Sequence, residues 1–75
     1  MIEVFCMDDC PNCDRLCAML NKESIAYTHY NIDKDPGALA EAGFRGILEQ
    51  PFPVVFINGS RIEPMTPQGY MERIR

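Results

Sequence analysis

Apolar residues follow two different spacings along the chain, and each spacing predicts one type of element. The stretch Ile2–Cys6 is short, mostly apolar and rich in β-branched residues, which predicts a first strand. After a polar break, apolar side chains recur three and four positions apart, at Cys13, Leu16, Cys17 and Leu20. This spacing is typical of one face of an amphipathic helix, which Pro11 is suited to open and which should end near Asn21–Ser24.

The middle of the chain repeats this order of strand and helix. Alternation and a high content of β-branched and aromatic residues predict a second strand over Ile25–Ile32. Asp35 is placed to cap a second helix, which Pro36 opens and which should run through Ala38–Leu48. Two glycines near its far end weaken that part of the helix.

The last third of the chain predicts a hairpin followed by a helix. Val54–Ile57 is a continuous apolar run, and Asn58-Gly59 is a strong signal for a tight turn. Ser60–Glu63 should then pair back as an edge strand, and Pro67–Arg75 should form a short helix. The order β-α-β-α-β-β-α predicts an α/β fold: a four-stranded mixed sheet with three helices on its two faces, containing one right-handed β-α-β unit.

Composition and charge narrow the class of protein. The chain has 75 residues, 47% hydrophobic and 24% charged, as expected for a single small globular domain over residues 1–75. Its net charge of −4 argues against a nucleic-acid partner and against an anionic membrane surface. No apolar run approaches the roughly 18 residues of a membrane span, and no signal peptide is visible. We therefore expect a cytoplasmic monomer, in which four cysteines are more typical of catalysis or metal binding than of structural disulfides.

The sharpest chemical feature is Cys10-Pro11-Asn12-Cys13, placed between the first strand and the first helix. A helix N-terminus carries unpaired N–H groups and partial positive charge, which should lower the pKa of Cys10 below that of a free thiol. The acidic residues Asp8, Asp9 and Asp14 act in the opposite direction with similar strength, so the sequence leaves this pKa open. Cys13 lies one turn further and should be more buried. The pair can cycle between dithiol and disulfide, and Pro11 should help to hold the short ring.

A metal or iron–sulfur module using Cys6, Cys10, Cys13 and Cys17 is the alternative. A zinc site of the common type needs a second ligand pair downstream, where this chain offers only His29 in a strand. We favour redox chemistry, with no metal, because the cysteine pair lies in a strand-to-helix context. Cys6 and Cys17 are then interpreted as small buried residues of the core.

Phe52-Pro53 enters the third strand, and proline is disfavoured inside a strand. We interpret Pro53 as a cis proline facing the Cys10 sulfur, which leaves the backbone N–H and C=O of Phe52 free to pair with an extended substrate. Together with Pro11 and Asn12, these two residues are the candidate substrate contacts.

These features resemble the glutaredoxin family. The resemblance rests on the first strand, Cys-Pro-x-Cys, a second strand ending in Ile-Asp, a proline before Val-Val-Phe, and Ile-Asn-Gly-x-x-Ile at Ile57–Ile62. It implies a minimal thioredoxin-like fold, Cys10 as nucleophile, Cys13 as resolving thiol and Pro53 in cis. It also implies a disulfide-containing protein as substrate, glutathione as a candidate reductant, and no bound cofactor.

The sequence departs from the family pattern near the expected glutathione site. Met7 stands where the family usually has lysine, Asn12 where it has an aromatic residue, and Glu63-Pro64-Met65-Thr66 where it has Gly-Gly-x-Asp. The chain is also similar to the short glutaredoxin-like redoxins that serve ribonucleotide reductase and are recharged by thioredoxin reductase. That similarity makes ribonucleotide reductase a candidate partner and thioredoxin reductase a second candidate reductant.

Overall fold

The structure, a computed structural model, describes all residues from Met1 to Arg75. Four strands and three helices follow one another in the predicted order. In chain order they are β1 (Ile2–Cys6), α1 (Pro11–Lys22), β2 (Thr28–Asn31), α2 (Pro36–Phe44), β3 (Val54–Ile57), β4 (Ser60–Arg61) and α3 (Pro67–Ile74). Each helix falls short of the length and apolarity that a membrane crossing requires.

The strands form one mixed sheet in the order β2-β1-β3-β4. β1 runs parallel to β2, with Val4 opposite His29, and antiparallel to β3, with Val4 opposite Val55. β3 and β4 form a hairpin whose turn residues Asn58 and Gly59 have φ angles of 51° and 83°. The predicted α/β fold, a four-stranded mixed sheet with three helices, is confirmed.

The two faces of the sheet pack against different helices. On the α1/α3 face, a buried cluster joins the sheet to both of these helices; it comprises Val4, Cys6, Cys13, Leu16, Leu20, Val55, Ile62, Tyr70 and Met71. On the α2 face, the buried cluster comprises Phe5, Ala42, Ile47, Val54 and Phe56. The alternation of side chains along β1 and β3 therefore divides the core into two parts.

The second strand begins later than predicted. Ser24 adopts a φ of 56°, and the Ile25 N–H donates a hydrogen bond to the Leu20 carbonyl at 3.0 Å. This geometry is a Schellman motif, which ends α1 and draws the following residues into the helix terminus. The prediction of a strand from Ile25 was wrong at its start, since pairing with β1 begins only at Thr28.

The second helix ends earlier than predicted for the same reason. Gly46 has a φ of 70°, and the Ile47 N–H donates to the Ala42 carbonyl at 3.1 Å. Glycine adopts this left-handed conformation without the steric cost of a Cβ atom. The helix therefore stops at Phe44, and the prediction that it continues to Leu48 was wrong.

The last two elements are shorter than predicted. β4 covers Ser60–Arg61 instead of Ser60–Glu63, although the Ile62 N–H still donates to the Val55 carbonyl at 2.9 Å. α3 ends at Ile74, one residue before the predicted end. Both differences leave the site-forming loops in place.

Candidate active site

Cys10 is the N-cap residue of α1 and lies in the loop that follows β1. Its backbone is extended, with φ −115° and ψ 94°, and Pro11 opens the helix. The Cys13 N–H donates a hydrogen bond to the Cys10 sulfur, with 3.3 Å between nitrogen and Sγ. The Cys10 side chain is partly exposed. A sulfur that solvent can reach therefore lies at the positive end of a helix dipole.

Cys13 lies one turn inside α1 and is 2% exposed. Its side chain belongs to the buried cluster of the α1/α3 face, and its thiol shares a hydrogen bond with that of Cys10. Both cysteines are free thiols. The predicted pair is thus brought together as a dithiol, with one accessible sulfur and one buried sulfur.

Hydrogen bonds and burial move the pKa values of the pair in opposite directions. Burial, and then the hydrogen bond with Cys13, raise the pKa of Cys10 to about 11, although the backbone N–H groups of Cys13 and Asn12 oppose the shift. A hydrogen bond from the Cys6 thiol lowers the pKa of Cys13 to about 6 against the effect of burial, and Cys10 adds a second such bond. The lowering that the helix N-terminus predicts for the pKa of Cys10 is therefore outweighed, first by burial of this thiol.

Cys6, the last residue of β1, connects Cys13 to Cys17. Hydrogen bonds to these two thiols, together with burial, raise the pKa of Cys6 far above its usual value. The same Cys6 thiol lowers the pKa of Cys17 to about 7, against burial and with help from the Tyr27 hydroxyl. Cys6 lies in the core of the α1/α3 face and Cys17 packs against it, as predicted. These interactions link the four thiols in the order Cys10, Cys13, Cys6 and Cys17, with the two buried thiols in the middle.

The segment before β3 lies against the accessible thiol. The Phe52–Pro53 peptide bond is cis, as the sequence predicts. The Cys10 thiol donates a hydrogen bond to the Phe52 carbonyl, with 3.6 Å between Sγ and oxygen. The sequence predicts that this carbonyl is free for substrate, whereas in the dithiol protein Cys10 occupies it.

Tyr70 of α3 supports this segment from behind, and the sequence reasoning did not identify it. Its hydroxyl donates to the Pro53 carbonyl at 3.2 Å, and its side chain is 2% exposed. A buried tyrosine hydroxyl normally has a hydrogen-bond partner. The only sign of this role in the sequence is therefore a tyrosine on the apolar face of an amphipathic helix. Tyr70 is a positioning residue for the backbone next to Cys10.

The other predicted contacts surround the Cys10 sulfur. Pro11 and Asn12 are exposed in the first turn of α1, and the Asn12 N–H forms a backbone hydrogen bond with Cys10. Phe52 is partly exposed and Pro53 is buried. Their contact with a substrate stays a prediction.

An acidic cavity of about 390 Å³ opens beside the loop between β1 and α1. Its walls are Cys6, Met7, Asp8, Asp9, Asp14, His29, Asn31 and Lys34. Lys34 Nζ lies 3.5 Å from a carboxylate oxygen of Asp8, so this carboxylate is paired. Asp9 and Asp14 leave the cavity with an excess of negative charge.

The dithiol at the start of α1, the cis proline beside it and the β2-β1-β3-β4 sheet define a thiol protein of the thioredoxin-like fold. The family model for glutaredoxins matches residues 2–62. The chain therefore belongs to the glutaredoxin family.

Solved structures agree with this fold. A threonine-to-alanine mutant of the thioredoxin-like protein BC3987 has 23% identity and a TM-score of 0.79, with 100% of both chains covered. The glutaredoxin of Archaeoglobus fulgidus has 19% identity and a TM-score of 0.72, covering 99% of this chain and 85% of that one. A buckwheat glutaredoxin–glutathione complex has 24% identity and a TM-score of 0.69, covering 99% and 67%. No curated protein matches the sequence at a significant level.

Proposed function

We propose that the protein is a thiol–disulfide oxidoreductase in which Cys10 is the nucleophile and Cys13 the resolving thiol. One observation carries the proposal: the partly exposed Cys10 sulfur at the start of α1 contacts both Cys13 and the Phe52 carbonyl. Membership of the glutaredoxin family and the fold support this kind of function.

The first step needs a Cys10 thiolate. Cys10 gives up its thiol proton, which leaves the Phe52 carbonyl and passes to solvent, because the Cys10 side chain is partly exposed. The N–H groups of Asn12 and Cys13 then stabilise the negative charge on Cys10.

Two exchanges complete the reduction. The Cys10 thiolate attacks one sulfur of a substrate disulfide, forms a mixed disulfide and releases the other sulfur as a thiolate. Cys13, after losing its proton, attacks the Cys10 sulfur, which forms the Cys10–Cys13 disulfide and releases the second substrate thiolate. Substrate sulfurs take up two protons, and two electrons pass from the protein to the substrate. Pro11, Asn12, Phe52 and Pro53 surround this exchange and are the proposed substrate contacts.

Cysteine variants test this order of events. Cys10→Ser should abolish reduction of insulin or of a glutathione mixed disulfide, because serine cannot form the mixed disulfide. Cys13→Ser should instead accumulate a covalent adduct at Cys10, detectable by mass spectrometry under non-reducing conditions. Circular dichroism of both variants controls for folding. Unimpaired turnover by folded Cys10→Ser would overturn the proposal.

Two reductants are candidates for restoring the dithiol. The relation to a glutaredoxin solved with glutathione supports glutathione. The acidic cavity supports thioredoxin reductase, since Asp9 and Asp14 repel the carboxylates of glutathione. NADPH consumption should be compared with glutathione plus glutathione reductase and with thioredoxin reductase alone. Faster turnover in one system identifies the reductant.

We further propose a cytoplasmic monomer that donates electrons to a protein disulfide, with ribonucleotide reductase as a candidate. A Cys10–Cys13 disulfide that forms only transiently during the proposed reaction supports a reducing compartment. Size-exclusion chromatography with light scattering tests the monomer. Ribonucleotide reductase turnover with this protein as the only donor tests the partner.

A metal-binding function is the second candidate. The row of sulfur contacts from Cys10 through Cys13 and Cys6 to Cys17 is compatible with it. These four sulfur atoms do not form one compact ligand group. The compact group in the structure is Cys6, Cys17 and His29.

A further inference from the structure

We propose that Cys6, Cys17 and His29 form a zinc-binding site separate from the Cys10–Cys13 dithiol. The ligand atoms of these three side chains all lie within 4.8 Å of one another. They form the one group of three or more histidine, cysteine or carboxylate ligands in the chain that meets this distance. The inference does not depend on the proposed oxidoreductase function.

The register of the sheet explains why these residues converge. His29 of β2 lies opposite Val4 of β1, and Cys6 follows Val4 by two positions, so all three belong to the same face of the sheet. α1 covers that face, and Cys17 lies one turn beyond Cys13 on the side that packs against the core. Two strands and one helix therefore hold the three ligands.

The distances and ligand types suit zinc. Zinc bonds sulfur at about 2.3 Å and imidazole nitrogen at about 2.0–2.1 Å, so a tetrahedral site separates its ligand atoms by roughly 3.5–3.8 Å. The upper limit of 4.8 Å between the three ligand atoms lies close to this separation. Binding would displace the thiol protons of Cys6 and Cys17 to solvent, use neutral His29 and transfer no electron.

The surroundings of the three proposed ligands provide an entrance for a metal ion and a negative charge that attracts it. Cys6 is buried, Cys17 is partly buried and His29 is exposed, so the group runs from the core to the surface. Cys6 and His29 both line the acidic cavity, in which Asp9 and Asp14 attract a cation. Water from this cavity would supply the fourth ligand. The Tyr27 hydroxyl, close to this group, donates its hydrogen bond to the Asn21 side chain at 3.1 Å.

Metal titration of the full chain, reduced with a phosphine that binds zinc weakly, tests the site. Zinc should bind at one ion per chain in competition with a chromophoric chelator. Cobalt(II) should produce thiolate charge-transfer bands and the visible d–d bands of a tetrahedral site. His29→Asn and Cys17→Ser should each weaken zinc binding by at least about tenfold. These variants alter exposed or partly buried positions, and circular dichroism verifies their folding; Thr28→Ala, an exposed neighbour on β2, is the matched control.

The variant Cys10→Ser separates this proposal from the proposed function, because Cys10 does not contact the three proposed ligands. It should lose disulfide reduction and keep zinc affinity within about threefold of the original chain. Zinc binding that disappears in Cys10→Ser but persists in His29→Asn would overturn the assignment, because the ion would then belong to the dithiol. The absence of stoichiometric zinc binding by the reduced protein would also overturn it.

Discussion

Glu3 and Cys6 are both buried residues of β1, yet they meet opposite surroundings on the two faces of the sheet. The Glu3 carboxylate accepts hydrogen bonds from Arg45 at 3.0 and 2.8 Å and from the Tyr30 hydroxyl at 3.2 Å. The Arg45 guanidinium also lies over the ring of Phe56, 4.6 Å from its centroid. Arg45, by its hydrogen bonds, lowers the pKa of Glu3, which therefore stays charged. Cys6 has only weakly hydrogen-bonding thiols as partners.

The comparison shows how one small core supports both rigidity and chemistry. On the α2 face, Arg45 and Tyr30 donate hydrogen bonds to the Glu3 carboxylate, and these bonds fix its charge and its position. On the α1/α3 face, the thiols are weak hydrogen-bonding partners, and their pKa values are moved apart by burial and by one another. The cysteine pair lies on this face, and the ion pair that ties α2 to the sheet lies on the other.

Arg45→Ala should have the largest effect on stability. It leaves the buried Glu3 carboxylate without its partner, which costs about 3 kcal/mol of unfolding free energy. Urea unfolding measures the loss, with Arg45→Lys as a control that keeps the charge but not the bidentate hydrogen bond. Disulfide reduction by the folded fraction should persist, since Arg45 packs on the α2 face. A loss below about 0.5 kcal/mol would show that this ion pair does not organise the face.

Tyr70→Phe should have a smaller effect on stability and a measurable effect on activity. Removal of the hydroxyl leaves the buried Pro53 carbonyl unpaired, at a cost of about 1 kcal/mol. If Tyr70 positions the backbone beside Cys10, kcat should fall more than KM rises, because the exchange geometry is disturbed. Met71→Leu, a neighbouring core substitution of similar volume, is the control. An unchanged kcat alongside the expected loss of stability would limit Tyr70 to a structural role.

The pH dependence of stability should distinguish the two faces further. Because the pKa of Glu3 is lower in the folded protein, its contribution is complete above the ordinary glutamate value of about 4.3. That contribution is lost as the pH falls through the lowered folded pKa, since the unfolded chain binds the proton first. Glu3→Gln should therefore flatten the decline in unfolding free energy between about pH 5 and pH 3. An identical decline in both proteins would assign acid sensitivity to other carboxylates.

Arg75→Ala should have the smallest effect. The Arg75 guanidinium pairs with Glu23 across the ends of α3 and α1, with Nε 3.0 Å from a carboxylate oxygen. This pair is exposed to solvent, which screens its attraction, so the urea midpoint should not change measurably. A substantial decrease would mean that the ends of the two helices depend on this contact.

The sequence predicts most of the fold because local signals and global packing agree over most of the chain. The spacing of Leu16 and Leu20, the capping residue Asp35 and the Asn58-Gly59 turn each predict an element that the structure contains. The strand start at Thr28 was not predictable from alternation alone, because a Schellman motif of backbone hydrogen bonds competes with the strand.

The sequence likewise predicts one part of the candidate site and not the other. Cys10, Cys13 and cis Pro53 could be predicted because their residue types and order carry the signal. The pKa values of the pair could not, because the burial of Cys10 and the approach of Cys6 to Cys13 arise only when the elements pack together. The approach of His29 to Cys17 could not be predicted either, because it depends on the register of β2 against β1, which brings residues of separate elements together.

The hydrogen bond from Cys10 to the Phe52 carbonyl has a consequence for the order of substrate recognition. In the dithiol protein the Cys10 thiol donates to this acceptor. Once Cys10 has become the attacking thiolate it has no hydrogen left to donate, and the oxygen is released for the amide of the bound chain. Under the proposed reaction, docking would therefore tighten when Cys10 loses its proton and loosen when the protein returns to its dithiol form.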